Sequence, residues 1–156
     1  MAAAGLGSGR RTYVVWEGVL AYLTPEAVDS TLRWASGVAG AGSELAFTYV
    51  HQGLLDGSRR FAHAEAWVES VRAAGEPFVF GLDPTTLDAF LAERGWRLLE
   101  DLSTTEALAQ HGRSIRRVPS FYRIARAEPV AYRRRAIDLK DWPSYEGGSQ
   151  LRRPAV

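Results

Sequence analysis

The 156-residue chain contains no cysteine, a single lysine (Lys140) and no long hydrophobic run. The lack of cysteine excludes disulfide bonds, thiol catalysis and cysteine-ligated zinc. No apolar stretch approaches the roughly 20 residues that a membrane-spanning helix needs, and residues 1–11 lack the apolar core of a secretory signal. The sequence therefore predicts a cytoplasmic protein that does not cross a membrane. Its length is enough for one domain with a buried core.

Only three histidines are present, His51, His63 and His111. His63-Ala64-Glu65 matches the His-x-Glu of zinc deaminases, but that motif needs a Pro-Cys-x-x-Cys partner, which a chain without cysteine cannot supply. Neither a His-Glu-x-x-His helix nor a Gly-x-Ser-x-Gly elbow occurs. We therefore predict no metal site, and a serine hydrolase is excluded.

The net charge of +1 conceals an uneven distribution along the chain. Residues 1–110 carry 8 Lys and Arg against 14 Asp and Glu, whereas residues 111–156 carry 11 against 4. Hydrophobic periodicity ends after Ala127, so residues 128–156 are predicted to form a basic, disordered tail. Such a tail can bind nucleic acid electrostatically. Because no recognition motif accompanies it, a solvated tail is the simpler interpretation.

Runs of β-branched and aromatic residues predict four strands, at 12–16, 43–50, 96–100 and 121–125. With helices between them, these strands indicate an α/β protein. About twenty residues join the last two strands, which leaves both a crossover and a long hairpin open. The first strand is apolar enough to be buried between two neighbours, yet almost nothing precedes it that could pair with it.

Helix signals lie between these strands. Thr24-Pro25 predicts a helix start, because threonine caps and proline is tolerated in the first turn. Ser103 and Glu106 have the spacing of a capping box, which predicts a short helix to about residue 111. The other predictions are a loop at 52–60, a helix at 61–74, an extended segment at 76–82 and a helix over 83–95. The apolar face of the first helix is formed by Val28, Leu32 and Ala35.

The segment Trp16-Glu-Gly-Val-Leu-Ala-Tyr-Leu-Thr-Pro-Glu26 resembles a motif of the leucine carboxyl methyltransferase-like family, in which a strand is followed by Glu-Gly-x-x-x-Tyr-Leu and a helix. Gly75-Glu-Pro-Phe-Val-Phe-Gly-Leu-Asp-Pro84 is similar to the family's aromatic segment. Residues 90–96 and 100–102 are similar to its next helix and strand. The likeness runs in the family's order from about residue 3 to residue 126.

The resemblance implies a Rossmann-like class I methyltransferase sheet of seven strands. This chain would supply the fourth to the seventh, the last two antiparallel, and residues 1–127 would be a partial methyltransferase domain. Family members methylate an oxygen with S-adenosyl-L-methionine, and the glycine-rich turn that holds this cofactor belongs to the other half. The resemblance therefore implies that this chain is a truncated methyltransferase. Gly5-Leu-Gly-Ser-Gly9 does not replace that turn, because a cofactor loop must follow a strand and open a helix.

The resemblance also assigns candidate cofactor-binding residues at the end of the first strand, where open α/β sheets bind ligands. Glu17 and Gly18 would face the methionine part of S-adenosylmethionine, where a carboxylate could pair with the ammonium. A solvated glutamate at a strand end is the alternative. No catalytic residue is assigned, because displacement at a methyl activated by sulfonium depends on alignment more than on proton transfer.

The candidate acceptor-binding residues come from three segments. The aromatic residues among them would form a wall of the acceptor site, and packing in the core is the alternative. The histidine follows the second strand and could act as a general base or lie in a surface loop. These candidates are Tyr22, His51, Phe78 and Phe80.

Two hypotheses of function follow. In the first, the chain is half of an O-methyltransferase acting on a carboxylate or hydroxyl of a small molecule or peptide, and it needs a complementary N-terminal half. In the alternative, it is a non-catalytic α/β module whose unpaired first strand binds a partner chain or a second copy of itself. A nucleic-acid binder acting through the basic tail is the third and weakest hypothesis.

Overall fold

The computed structural model describes residues 9–62, 64–112 and 118–130, which form a four-stranded sheet with helices. The strands are β1 (Tyr13–Trp16), β2 (Glu44–Val50), β3 (Trp96–Ser103) and β4 (Tyr122–Pro129), in the order β1-β2-β4-β3. β1 and β2 are parallel, and β4 is antiparallel to both β2 and β3. The α/β class and the antiparallel last pair are confirmed. The connection between β3 and β4 is that of a hairpin.

Two of the helices begin at the caps that the sequence predicts. The Thr24 side chain accepts the N–H of Ala27, and Ser103 and Glu106 form both hydrogen bonds of a capping box. These bonds satisfy backbone donors that a helix N-terminus otherwise leaves free. A 3-10 turn covers Leu20–Tyr22. The helices of the described residues are α1 (Pro25–Val38), α2 (Gln52–Leu55), α3 (Ala64–Ala73), α4 (Leu87–Ala92) and α5 (Thr104–Gln110).

Several boundaries differ from the sequence predictions. The predicted loop at 52–60 begins with the single turn of α2. α4 begins only at Leu87, because the Asp83 carboxylate accepts the N–H and hydroxyl of Thr85 and holds a turn there. β3 and β4 continue to Ser103 and Pro129, beyond the predicted ends at 100 and 125, because the two strands stay paired with each other. Residues 131–156, most of the predicted tail, lie outside the described residues.

The main core lies between one face of the sheet and the helices α1 and α4. Val28, Leu32 and Ala35 of α1 are buried there, as the apolar face predicts, together with Leu45 and Phe47 of β2. The fully buried Trp96 side chain donates its indole N–H to the Leu32 carbonyl oxygen over 2.9 Å. This bond satisfies the one polar group of Trp96 and fixes β3 against α1.

β1 lies at an edge of the sheet. Val14 and Trp16 pack against the core, whereas the side chains of Tyr13 and Val15 are 60% and 64% exposed on the other face. In the part of the chain that the structure describes, only β2 pairs with β1. Within the described residues, β1 therefore has one covered face and one open edge.

A second, smaller cluster lies at the end of the sheet where β2 stops. Its buried members are Ala21, Val50, Ala64 and Phe121, and Phe61, Phe78 and Tyr122 pack against them. The cluster joins the 3-10 turn, α3 and the start of β4. None of the helices within the described residues has the length and apolarity to cross a membrane.

Candidate functional site at the carboxyl edge of the sheet

The candidate residues gather at one edge of the sheet. Since β4 is antiparallel to β2 and β3, the strands β1, β2 and β3 all stop at the end of the sheet where β4 begins. This end is called the carboxyl edge below. Glu17 and Gly18 follow β1, His51 follows β2, and Tyr122 opens β4. Open α/β sheets bind ligands at the carboxyl ends of their strands, so this edge is the candidate site.

The turn after β1 is fixed by its glycine. Gly18 has a φ of 72°, in the left-handed region that favours glycine, and its N–H donates to the Thr48 hydroxyl over 2.8 Å. A β-carbon on Gly18 would meet no heavy atom within 4 Å, so the backbone angle rather than crowding explains the glycine. The turn leaves Glu17 exposed at the edge, with a carboxylate that forms no ion pair within the described residues.

Three aromatic side chains from distant segments meet at the same end of the sheet. Tyr22 ends the 3-10 turn, and its ring centroid lies 5.5 Å from that of Phe78; the Phe78 and Tyr122 rings are 6.0 Å apart and nearly perpendicular. The segment carrying Phe78 is held in place because the Ala21 carbonyl oxygen accepts the N–H groups of Val79 and Phe80. Tyr22, Phe78 and Tyr122 are called the aromatic wall below.

Within the aromatic wall, the surroundings of the Tyr122 hydroxyl shift its pKa. Burial, followed by the neighbouring Tyr22 hydroxyl, raises the pKa of Tyr122 to about 12. Tyr122 therefore stays protonated at neutral pH and offers no base. Next to the wall, a shallow depression of about 420 Å³ is open to solvent. It is lined by Tyr22, Gly75, Glu76, Pro77 and Val79.

His51 is nearly buried and caps α2. Its Nδ1 accepts the N–H of Gly53 over 2.9 Å, and its ring packs against that of Phe61 with centroids 5.2 Å apart. Burial, followed by the charge of Arg59, lowers the pKa of His51. The ring is therefore neutral at pH 7, and its unprotonated nitrogen is already occupied by the Gly53 N–H. This geometry suits a capping residue better than a general base.

Phe78 and Phe80 do not form one wall. Phe78 packs against the small cluster that contains Phe121, whereas Phe80 packs against the main core. Val79, which lies between them in the sequence, is 57% exposed. Of the predicted acceptor-side residues, the structure brings Tyr22 and Phe78 together and directs Phe80 to the core.

Sequence reasoning did not identify Tyr122 or a buried polar network on three strands. The Tyr49 hydroxyl donates to Asp101 over 2.9 Å, and Arg123 donates to both oxygens of the Asp101 carboxylate over 2.8 to 3.1 Å. Burial, with the Asp101 charge added, raises the pKa of Tyr49 far above its usual value. A sequence signal existed for Tyr122, because an antiparallel last strand must begin where the other strands end.

The described residues contain no group of three or more His, Asp or Glu side chains that could hold a metal ion. His63 lies outside these residues, and His111 ends α5 on the surface. The arrangement of the described part of the edge is thus one exposed carboxylate, an open glycine turn and an aromatic wall.

The sheet order, with the antiparallel strand β4 inserted between β2 and β3, is that of the C-terminal half of a class I, Rossmann-like methyltransferase sheet. A crystal structure of a DUF574 family protein from Streptomyces avermitilis has a similar fold, with a TM-score of 0.51 and 14% identity. The similarity covers 77% of this chain and 45% of that one.

Sequence comparisons agree with the fold. The family model described as leucine carboxyl methyltransferase matches residues 1–36. Proteins of Mycobacterium tuberculosis and Mycobacterium bovis named putative S-adenosyl-L-methionine-dependent methyltransferases are 30% identical over 115 residues. The match covers 70% of this chain and 36% of the relatives, so the chain spans about a third of the length of the curated relatives it matches. These similarities support the assignment of the chain to a leucine carboxyl methyltransferase-like group.

Proposed function

We propose that this chain is the acceptor-side half of an S-adenosylmethionine-dependent O-methyltransferase and lacks the half that holds most of the cofactor. The observation that carries the proposal is the aromatic wall at the end of the sheet where β1 stops and the Glu17-Gly18 turn follows it. The acceptor would be a carboxylate or hydroxyl of a small molecule or peptide. A cytoplasmic location stays a prediction of the sequence.

The residues present fit one end of the cofactor. Glu17 offers an exposed carboxylate that suits the ammonium of the methionine moiety, and the missing side chain of Gly18 leaves room beside it. The described residues include no glycine-rich turn between a strand and a helix N-terminus, which would be needed for the rest of the molecule. We therefore expect the chain alone to bind S-adenosylmethionine weakly or not at all.

The residues on the acceptor side of the proposed site favour a methyl acceptor that is already ionised. S-adenosylmethionine supplies an electrophilic methyl group, so the acceptor oxygen must attack it as a nucleophile. Neither Tyr122, whose phenol is neutral, nor His51, whose free nitrogen is occupied, is suited to remove a proton. A carboxylate needs no base, and the work left to the aromatic wall is to orient it.

Complementation tests the proposal. We expect isothermal titration to give little heat for S-adenosylmethionine and the 156-residue chain, and a clear binding signal when the N-terminal part of a mycobacterial relative is added. Glu17→Gln should then weaken the complemented binding about tenfold, because an ammonium–carboxylate pair is lost. The matched control is Glu65→Gln, which changes an exposed glutamate on α3 and should leave binding unchanged.

Two results would contradict the proposal. One is micromolar binding by the chain alone that Glu17→Gln does not change, since a complete site elsewhere would then exist. The other is a folded complex of the two parts, verified by circular dichroism and sedimentation, that still does not bind S-adenosylmethionine.

A second candidate function is a non-catalytic module that associates through β1. The exposure of Tyr13 and Val15 on an edge strand favours it, because open edges with apolar side chains are sites of pairing. The two candidates differ in their response to the cofactor: association through β1 needs none. Binding of nucleic acid through the basic segment remains the least supported alternative.

A further inference from the structure

Two hydrogen-bond donors face each other just after β2. Nδ1 of His51 accepts the N–H of Gly53 over 2.9 Å, so the neutral ring carries its hydrogen on Nε2. Nη1 of the Arg59 guanidinium lies 3.3 Å from this Nε2. Because a guanidinium cannot accept a hydrogen bond, the contact brings two donors together and satisfies neither of them. Arg59 and His51 are called the donor pair below.

The donor pair has no acceptor in the part of the chain that the structure describes. Arg59 forms no ion pair there, and its guanidinium contacts only the His51 and Phe61 rings. The carboxylates of Asp56 and Asp83 act on the charge of His51, but each accepts hydrogen bonds within its own turn instead. His51 is 9% exposed, and a buried donor without an acceptor is unfavourable. An anion that accepts from both groups would remove this cost.

The loop between the two residues holds the donor pair together. The backbone N–H of Arg59 donates to the Gly53 carbonyl oxygen over 3.0 Å. A β-carbon on Gly53 would lie 2.8 Å from Cβ of Arg59 and 3.2 Å from Cε1 of His51, so the close approach requires glycine. The Arg59 guanidinium also lies over the Phe61 ring, 5.3 Å from its centroid, which fixes its orientation.

The donor pair belongs to the same cluster as the aromatic wall. The Phe61 ring is 6.1 Å from that of Phe121. The Phe121 ring is in turn 5.0 Å from that of Tyr122 and 6.4 Å from that of Phe78. The donors therefore lie at the carboxyl edge, and a continuous set of aromatic rings links them to the wall.

We propose that Arg59 and Nε2 of His51 bind a carboxylate of the methyl acceptor, while the aromatic wall packs against the apolar body of the same molecule. Two donors side by side match the two oxygens of a carboxylate, and the charge of Arg59 strengthens the contact. The substrate class is then an acid with an apolar or aromatic body. The source of the carboxylate rests on the proposed function, whereas its binding does not.

The charges around the donor pair favour a monoanion. Asp56 and Asp83 already place negative charge near His51, and a dianion such as phosphate would be repelled more strongly than a carboxylate.

Nuclear magnetic resonance of the 156-residue chain at pH 7 tests the binding. The chain has three histidines, so the ring signals of His51 can be assigned with His51→Asn. Sodium benzoate should shift these signals in a saturable way with a millimolar Kd, and its neutral isostere benzamide should not.

Two variants test the role of the guanidinium. Arg59→Gln should weaken benzoate binding about tenfold, because a charge-assisted hydrogen bond is lost. Arg60→Gln removes the same charge from the neighbouring exposed position and should leave the Kd within about twofold. The absence of a saturable shift, equal shifts with benzamide, or equal weakening by the two variants would overturn the proposal.

A second experiment identifies the source of the carboxylate, because the methionine moiety of S-adenosylmethionine also carries one. In the complemented protein, Arg59→Gln should leave the affinity for S-adenosylmethionine unchanged, whereas Glu17→Gln weakens it. A loss of about tenfold in Arg59→Gln would overturn the assignment to the acceptor. If complementation gives no cofactor binding at all, the proposed function fails, but the benzoate titration of the chain alone still decides whether the donor pair binds a carboxylate.

Discussion

A histidine has two ring nitrogens, and at His51 the surroundings of each determine its role. Nδ1 accepts the Gly53 N–H, so in the neutral ring Nε2 carries the hydrogen. The guanidinium Nη1 of Arg59 lies 3.3 Å from Nε2, so a positive charge already faces this side of the ring. Protonation would give two cationic groups side by side and break the cap, which is the physical reason for a neutral ring.

This arrangement predicts how stability depends on pH. Burial and Arg59 lower the pKa of His51 in the folded state, so the unfolded chain binds the proton first. The contribution of His51 to stability is complete above its unfolded pKa of about 6.5 and is lost as the pH falls through the folded value. We expect urea unfolding midpoints to fall between pH 7 and pH 5, and to fall less in His51→Asn, which keeps a capping oxygen.

The control for this prediction is His111→Asn, which changes an exposed histidine at the end of α5. It should retain the pH dependence of the unmodified chain. If His51→Asn loses stability on acidification as steeply as the unmodified chain, then His51 is not the group that titrates.

At the scale of elements, the Tyr49–Asp101–Arg123 network joins β2, β3 and β4 through side chains. Tyr49 is 1% exposed, and the side chains of Asp101 and Arg123 are 11% and 16% exposed. A charge pair so shielded from water is costly to break, because the remaining charge keeps its desolvation penalty without its partner. The network thus fixes the lateral position of three strands.

Substitutions in this network should cost different amounts. Asp101→Ala leaves Arg123 with only its longer ion pair to Glu106, at 4.0 Å, and should lower the free energy of unfolding by about 3 kcal/mol. Tyr49→Phe removes the hydrogen bond donated to Asp101 and the one accepted from Arg123, and should cost about 2 kcal/mol. Urea denaturation measures both values. Arg72→Ala is the control: it breaks an exposed pair with Glu69 and should cost less than about 0.5 kcal/mol. A similar loss in all three variants would show that the network stabilises the fold no more than an exposed ion pair does.

Elements with local signals were predictable from sequence, and those that depend on distant contacts were not. α1 and α5 begin at caps a few residues long, Thr24-Pro25 and the Ser103–Glu106 box. The ends of β3 and β4 were placed too early, because their last residues are held by pairing across the hairpin rather than by their own periodicity.

The same distinction applies to the site. The turn after β1 could be predicted because Glu17 and Gly18 lie within one motif. The aromatic wall could be predicted only in part: Tyr22, Phe78 and Tyr122 come from segments more than 40 residues apart, and their meeting depends on the order of strands. The capping role of His51 depends on α2, a single turn with no strong helix signal.

At the scale of the molecule, the open β1 edge predicts how the chain behaves on heating. Val15→Lys places a charge on an exposed side chain and removes no core contact, so the free energy of unfolding should stay within about 0.5 kcal/mol of the unmodified value. Aggregation should begin at a higher temperature, because lysine on an edge strand opposes pairing between molecules. Light scattering during a temperature ramp measures the onset.

Leu99→Lys on β3 is the matched control, since Leu99 is exposed at the irregular position of the opposite edge. It should change the onset of aggregation little. An equal shift for the two variants would indicate that general solubility, rather than the β1 edge, determines aggregation.

The sheet order also constrains how the chain folds. β4 is the last described strand along the sequence, yet it lies inside the sheet, between β2 and β3. Its pairing with β2 brings together residues such as Tyr49 and Arg123, 74 positions apart. Contacts of such long sequence separation slow folding, because a large loop must close before they form. During synthesis, β1 and β2 can pair early, but β3 has no neighbour within the described sheet until β4 has left the ribosome.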